Sequence, residues 1–226
     1  MRKISLLQIG VFLVLFIAII GLGFGTTALF FGHLELGDFR GVLLIILGIF
    51  VTYVYAVLVF RVFLRIAPLR EGVIGQASKE EFVYHVYLLF FLLIFYPVMR
   101  SGAVPLPLMR LLYLGLGAKL GDNTYSSGII LDPIFVEAGS NTLIGQYALI
   151  IPHVIENDKL EHYRVRIGNN VTIGAHAVVL AGVTIGDDAM VATGSVVKKG
   201  TTIAAGEVWG GVPAKCLKGG RSEAEG

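Results

Sequence analysis

From Ile167 onward an aliphatic residue recurs every six positions, at Ile167, Ile173, Val179, Ile185, Val191, Val197 and Ile203. The hexads read IGNNVT, IGAHAV, VLAGVT, IGDDAM, VATGSV, VKKGTT and IAAGEV. A period of six suits neither an amphipathic helix at about 3.6 residues nor an alternating strand at about 2. It suits a solenoid of triangular cross-section, in which each hexad is one short strand plus a corner and three hexads close one coil. The first-position aliphatic then points into a narrow interior. The fifth position, beginning Val171, Ala177, Val183, Ala189 and Ser195, is small or β-branched so as to fit beside it. Gly and Asn supply the corners, where left-handed backbone occurs. Successive coils stack about 4.8 Å apart through main-chain hydrogen bonds, as in other arrays of fixed period. The pattern continues upstream, more raggedly, through LGDNTY at Leu120 and IGQYAL at Ile144.

The first hundred residues obey another rule. No charged residue lies between Lys3 and His33, so residues 4–31 can cross about 30 Å of hydrocarbon. They are too long for a signal-peptide core and lack a cleavage site. Residues 41–60, bracketed by Arg40 and Arg61, form a second span. A mean hydropathy of +0.79, with only 15% charged residues, agrees with a chain partly in lipid. Gly21 and Gly25 stand four apart in GLGFG, a spacing that can bring helices close in lipid. A third apolar run, residues 82–99, holds Tyr84, His85, Tyr87, Tyr96 and Pro97. His85 can snorkel at the interface or sit near an acceptor headgroup.

Basic residues orient these runs. If only the first two cross, Arg2, Lys3, Arg61, Arg65, Arg70, Lys79, Arg100, Arg110 and Lys119 lie on one side and Arg40 on the other. Three crossings would carry the C-terminal half to the outer face. Residues 82–116 are therefore expected as a re-entrant or interfacial element broken at Pro105 and Pro107, with a third span over 82–99 as the alternative. The division expected is a membrane domain, 1–104, and a β-solenoid domain, 105–226. A net charge of +2 without a Lys/Arg cluster excludes a nucleic-acid partner. A single cysteine, Cys216, excludes a disulfide framework and a thiolate metal set.

The Ile/Val-Gly-x-x-small-x hexads, with the ending EVWGGVPAKCLK, resemble the hexapeptide-repeat, left-handed β-helix acyltransferases, among them the galactoside and xenobiotic acetyltransferases. The resemblance covers about residues 106–218 and leaves the apolar half unexplained. It implies an all-β left-handed parallel β-helix closed by a short C-terminal helix beginning at residues 213–218. It also implies a homotrimer, and acetyl-CoA or another acyl-CoA as co-substrate without a metal.

The rhythm breaks between Ile150 and Ile167, seventeen residues apart, in the polar, loop-like segment IIPHVIENDKLEHYRVR. In the resembled family the catalytic His follows a hexad like IGQYAL, just before an excursion that returns at Val-x-Ile-Gly. His153 occupies that place, with VRIG at Val165 as the return. Imidazole suits the work, because an attacking hydroxyl or amine must lose a proton and the ring titrates near pH 6.5. Its other nitrogen needs a partner, and Glu156, Asp158 and Glu137 are the candidates. His162 is expected in solvent, and His176 at a corner in a structural or donor-binding role.

Through the hexad register, Ala175 and Thr193, eighteen residues apart, should line the pantetheine of the donor. Lys198, Lys199, Lys215 and Lys218 should neighbour its adenine and phosphate end, where positive charge suits an anion. Gly211 and Pro213 match the family's Gly-x-Pro turn, and Trp209 either stacks near the donor or caps the last coil.

The reading is an integral-membrane acyltransferase, most simply an acetyltransferase, with His153 as base. It would act at the cytoplasmic face of a bacterial inner membrane on a hydroxyl or amine of a lipid-linked sugar or lipid headgroup. Two rivals stand beside it. One is a non-catalytic anchored trimeric scaffold. The other is a γ-type carbonic anhydrase, which needs three histidines around zinc, whereas no histidine follows His176.

Overall fold

A computed structural model describes residues 3–220, so Arg2, counted above among the flanking charges, lies outside the described residues. The chain divides into two compact units: Met1–Leu69 with Ala77–Pro97, and Arg70–Gln76 with Val98–Gly226. The linker 70–76 and residues 98–104 thus fold with the second unit, unlike a single cut at residue 104.

The first unit is helical. Helix α1 (Leu6–Phe31) starts on a capping box, in which Ser5 accepts from the Gln8 amide and Gln8 from the Ser5 amide. Helix α2 (Arg40–Ile66) runs past Arg61 and Arg65, since charges end an apolar run without ending a helix. The two approach closely at Gly23 and Gly48. A Cβ on Gly23 would fall 2.1 Å from Thr52 Oγ1, and one on Gly48 2.8 Å from the Phe24 ring. Gly21 and Gly25 meet nothing within 4 Å, so the GLGFG stretch packs through its middle glycine.

Helix α3 (Lys79–Phe90) continues through a π-helical stretch, Phe91–Phe95, into α4 (Tyr96–Arg100), an unbroken rod of 22 residues. Pro97 explains the widened turn. Its ring would clash with the carbonyl four residues back and it has no N–H to donate, and the Tyr96 N–H reaches five residues back to Phe91. The rod covers the third apolar run, and the chain breaks only after it, before Leu106. Phe12, Phe60, Tyr87, Phe90 and Phe95 pack as an aromatic core, with Phe60 against Phe95 at 5.2 Å and Phe12 against Phe90 at 5.3 Å. Three stretches, Leu6–Phe31, Gly37–Ile66 and Lys79–Arg100, are long and apolar enough to cross a membrane.

The second unit opens with α5 (Leu106–Leu116). Pro105 and Pro107 lie at its first turn, where a missing N–H costs nothing, so they start this helix and the break falls at residues 101–105. Helix α5 covers the first coil: Arg110 donates to the Thr124 and Gly121 carbonyls, and the Tyr113 hydroxyl donates to the Gly128 carbonyl while accepting from the Ile130 amide. Burial pushes the Tyr113 phenol up to about 12.

Parallel strands then wind as a coil with three faces. Ile167 pairs with Ile185, Ile173 with Val191 and Val179 with Val197, each eighteen residues apart, or three hexads. The interior is a ladder of these aliphatics, all nearly fully buried.

The two corner positions have separate duties. Left-handed backbone falls on the fourth position, at Asn170, His176, Gly182, Asp188, Gly194, Gly200 and Gly206. The second-position glycines are needed instead for close approach: a Cβ on Gly168 would meet the Asp187 amide nitrogen at 2.7 Å, and one on Gly174 the Thr193 nitrogen at 2.4 Å.

Two expectations change here. The excursion is an ordered antiparallel hairpin, His153–Glu156 with Lys159–His162, and the linker strand Gly72–Ile74 pairs along its outer edge. Around it the ladder partners stand 29 residues apart rather than 18, as in Ile150 with Val179, so eleven residues are inserted in one coil. At the far end, no C-terminal helix occurs among the described residues. Val208–Gly211 and Ala214–Lys218 form an antiparallel hairpin, with Gly211 at φ 97 opening its turn. A strand there pairs main-chain groups that the last parallel coil would otherwise leave at an open edge.

Candidate active site

His153 is the first residue of the inserted hairpin and lies in an open groove of about 280 Å³ with Ile151, Val154, Ile155, Glu156, Leu180 and Lys199. Its ring Nδ1 lies 2.5 Å from Asp132 Oδ2. Asp132 comes from the preceding coil, where the chain leaves the regular rhythm for a 3-10 turn, Pro133–Phe135. It is 3% exposed and left-handed, with φ 44. A buried aspartate in that backbone region costs roughly 1–2 kcal/mol and persists only where its surroundings fix it, which is common at functional sites.

The carboxylate hydrogen-bonded to His153 is therefore Asp132, rather than any of the three expected candidates. Glu137 is engaged by Lys119 at 2.7 Å and Arg164 at 2.8 Å, and the Lys119 hydrogen bond foremost holds its carboxyl below the usual range. Glu156 faces Lys199 at 3.7 Å, and Asp158 lies in the exposed turn of the hairpin. Burial pulls the His153 pKa down, but the Asp132 hydrogen bond and charge together outweigh it, and the ring titrates above its ordinary 6.5. With Nδ1 committed to Asp132, Nε2 is the nitrogen left for chemistry.

His162 is not in solvent as expected. It sits directly across the hairpin from His153, is fully buried, stacks on Phe135 at 4.9 Å and meets His153 edge-on at 6.4 Å. Burial is the main reason its pKa falls below the ordinary value. His176 holds a left-handed corner beside Tyr147, at 5.2 Å.

Of the residues assigned to a donor, only Lys199 shares the His153 groove. It pairs with Glu161 at 2.9 Å, which raises its own pKa and lowers that of Glu161. Lys199 is thus held as an ion-paired cation beside the imidazole. Ala175 and Thr193 do stack on successive coils: the Gly194 amide donates to the Ala175 carbonyl at 2.9 Å. Lys218 borders a separate recess of about 490 Å³ with Asp188, Ala205, Gly206 and Gly219. Lys198, Lys215 and Gly211 are exposed. Trp209 is half-buried in the terminal hairpin, its indole N–H donating to Glu207 at 2.8 Å. Among the described residues, no three His, Cys, Asp or Glu side chains converge as a metal-holding group.

Asp132 was absent from the sequence reading because it lies 21 residues before His153, on another coil. The available signal was a single acid in the otherwise apolar stretch IILDPIFV, where the hexad rhythm also slips: Ile130 pairs with Ile150, twenty residues on.

Residues 164–199 match the bacterial transferase hexapeptide family of six repeats. Over 112 residues the chain is 35% identical to mitochondrial gamma carbonic anhydrase 2 of Arabidopsis thaliana, covering 46% of this chain and 35% of that protein. Over 113 residues it is 33% identical to the galactoside O-acetyltransferase of Escherichia coli K12, covering 46% of this chain and 55% of the relative. The chain thus spans between about a third and just over half of the length of these curated relatives. Among solved structures, a hexapeptide-repeat acetyltransferase of Vibrio cholerae in complex with acetyl-CoA aligns with a TM-score of 0.44 at 26% identity, over 48% of this chain and 63% of its own. The matches support the resemblance of the solenoid to the hexapeptide-repeat acyltransferases.

Proposed function

We propose that this chain is an integral-membrane acyltransferase that moves an acyl group, acetyl in the first instance, from a CoA thioester to a hydroxyl or amine of a membrane-held acceptor. The observation that carries the reading is the Asp132–His153 pair, open to a groove on a hexapeptide-repeat wall. Neutral His153 takes the acceptor's proton at Nε2 as oxygen or nitrogen attacks the thioester carbonyl. The C–S bond breaks, and the imidazolium returns the proton to the departing thiolate. Asp132 holds the tautomer and stabilises the cation in between. Transfer is direct, so no serine nucleophile is needed. Left-handed winding and a homotrimer belong to the same reading.

A sugar free in solution would not call for long apolar helices beside the solenoid, and this supports a lipid-linked sugar or a lipid headgroup as acceptor. The test is to incubate the purified chain, in nanodiscs of bacterial lipid, with isotopically labelled acetyl-CoA. Label should enter one lipid class as a single added acetyl. Label recovered only in water-soluble acceptors would overturn the membrane acceptor, and absence of acetyl-CoA binding would favour the scaffold. The carbonic anhydrase likeness over 112 residues gives a second reading little support, since the required histidines beyond His176 are missing.

A topology belongs to the same reading. The basic residues flanking the apolar runs support it: with Lys3, Arg61, Arg65, Arg70, Lys79, Arg100, Arg110 and Lys119 on the cytoplasmic face, Lys79–Arg100 is an interfacial element. Only α1 and α2 cross. In intact cells a membrane-impermeant maleimide is expected to label Glu35→Cys, while Ser101→Cys and native Cys216 react only after permeabilisation. Outside labelling of Ser101→Cys would show that the third helix spans.

A further inference from the structure

The linker between α2 and α3 is more than a tether. Its strand Gly72–Ile74 completes a three-stranded sheet with the hairpin that carries His153, in the register Gly72 to His162, Val73 to Glu161 and Ile74 to Leu160. Ile74 and Leu160 are both 3% exposed, so the added strand brings its own apolar contact. A two-stranded ribbon standing off a wall is marginal alone, whereas a third strand with a buried face makes it independently stable. His162, opposite Gly72 on one side, lies opposite His153 on the other.

Glu71, one residue before the strand, closes the arrangement. Its Oε2 accepts from the Arg164 main-chain amide at 3.1 Å and its Oε1 from Arg164 Nε at 2.9 Å. Arg164 stands where the hairpin rejoins the coil, and its Nη1 donates to Glu137 at 2.8 Å and, at 3.5 Å, to the Ile134 carbonyl. Ile134 belongs to the 3-10 turn that directly follows Asp132. One guanidinium therefore ties the linker, the base of the His153 hairpin and the turn beside Asp132. Burial works to raise the Glu71 carboxyl, but the Arg164 bonds and charge leave it below the usual range, as for a carboxylate committed to this contact.

We propose that the linker strand, through the positioning residues Glu71 and Arg164, sets the Asp132–His153 distance, so that the site is complete only when the chain between α2 and α3 is seated on the hairpin. His153 and Asp132 come from different coils, and a shift of about 1 Å between such groups can cost about a hundredfold in rate. The inference rests on the acyltransferase reading only in calling His153 the base, since the contact it describes can be measured without turnover.

The experiment uses the full chain in nanodiscs and follows diethylpyrocarbonate modification of the His153 peptide by mass spectrometry across pH. In the parent, the midpoint should lie above the free-imidazole value of about 6.5. In Glu71→Ala it should fall toward or below that value, while hydrogen exchange in the coils around residues 172–197 stays unchanged. Acetyl transfer, where measured, should drop about tenfold with the KM for acetyl-CoA within about twofold, as for a mispositioned base. Glu71→Gln, which keeps one acceptor for Arg164 Nε, should be intermediate, and it decides the matter by the same midpoint if the alanine variant does not fold. An unmoved midpoint overturns the proposal, as does protection lost equally throughout the coils. A shifted midpoint in a chain that transfers no acetyl would uphold the clamp and defeat the acyltransferase reading.

Discussion

Acyl transfer is expected to fall about 10²- to 10⁴-fold in His153→Ala, the range for removing a general base, with the solenoid intact because His153 lies on the inserted hairpin and outside the aliphatic ladder. Asp132→Asn should also lose most of the rate, since an amide of the same shape can hold the wrong tautomer and offers no charge to the imidazolium. The two variants separate in their pH profiles. A base works only when neutral, and Asp132 holds the His153 pKa above 6.5 against the opposing pull of burial. In the parent, kcat/KM should therefore rise with pH through that raised value. In Asp132→Asn burial acts unopposed, so the acid limb should move to lower pH on a lower plateau. An acid limb that stays in place would mean that the group titrating in the parent is not His153 paired to Asp132.

The same pair shows how far the chain could be read without coordinates. The coil was legible because its rule is local: a residue's hexad position decides whether it is a core aliphatic, a small partner or a corner. His153 was singled out by its place where the rhythm breaks, read through the resemblance to the galactoside and xenobiotic acetyltransferases. Asp132 was not, because it meets His153 only after the chain has completed a coil, and a spacing of 21 residues has no fixed meaning in a solenoid with insertions. The linker strand was hidden for the same reason: Glu71 and Arg164 stand 93 residues apart. The C-terminal helix failed because it came from the resemblance alone, whereas Val208–Gly211 and Ala214–Lys218 close on each other as a hairpin. In the apolar half, hydropathy located the rods but not their ends, because an arginine can ride on the last turns of a membrane helix with its charge at the surface.

The largest loss of stability is expected from Gly174→Val, and its contrast with Gly194→Ala separates the two duties of the corner glycines. Gly174 is a second-position residue with ordinary backbone, but a Cβ there would lie 2.4 Å from the Thr193 nitrogen and 2.8 Å from the Ala192 carbonyl carbon. Those are main-chain atoms of the next coil and cannot rotate away. Room can be made only by opening the ladder in which the Gly174 amide donates to the Val191 carbonyl at 2.7 Å. Overpacking of movable side chains costs about 1–3 kcal/mol, so a clash with fixed backbone should cost about 3 kcal/mol or more and spread along the stack. Gly194 is a fourth-position residue with φ +69 and nothing within 4 Å of its missing Cβ. Alanine there meets only the left-handed penalty of about 1–2 kcal/mol. Thermal unfolding of the full chain in detergent should give Gly174→Val a much lower midpoint than Gly194→Ala. If the two fall equally, the second-position glycine is also present for its torsional freedom, and close approach of the coils is not what demands glycine in the Ile-Gly step.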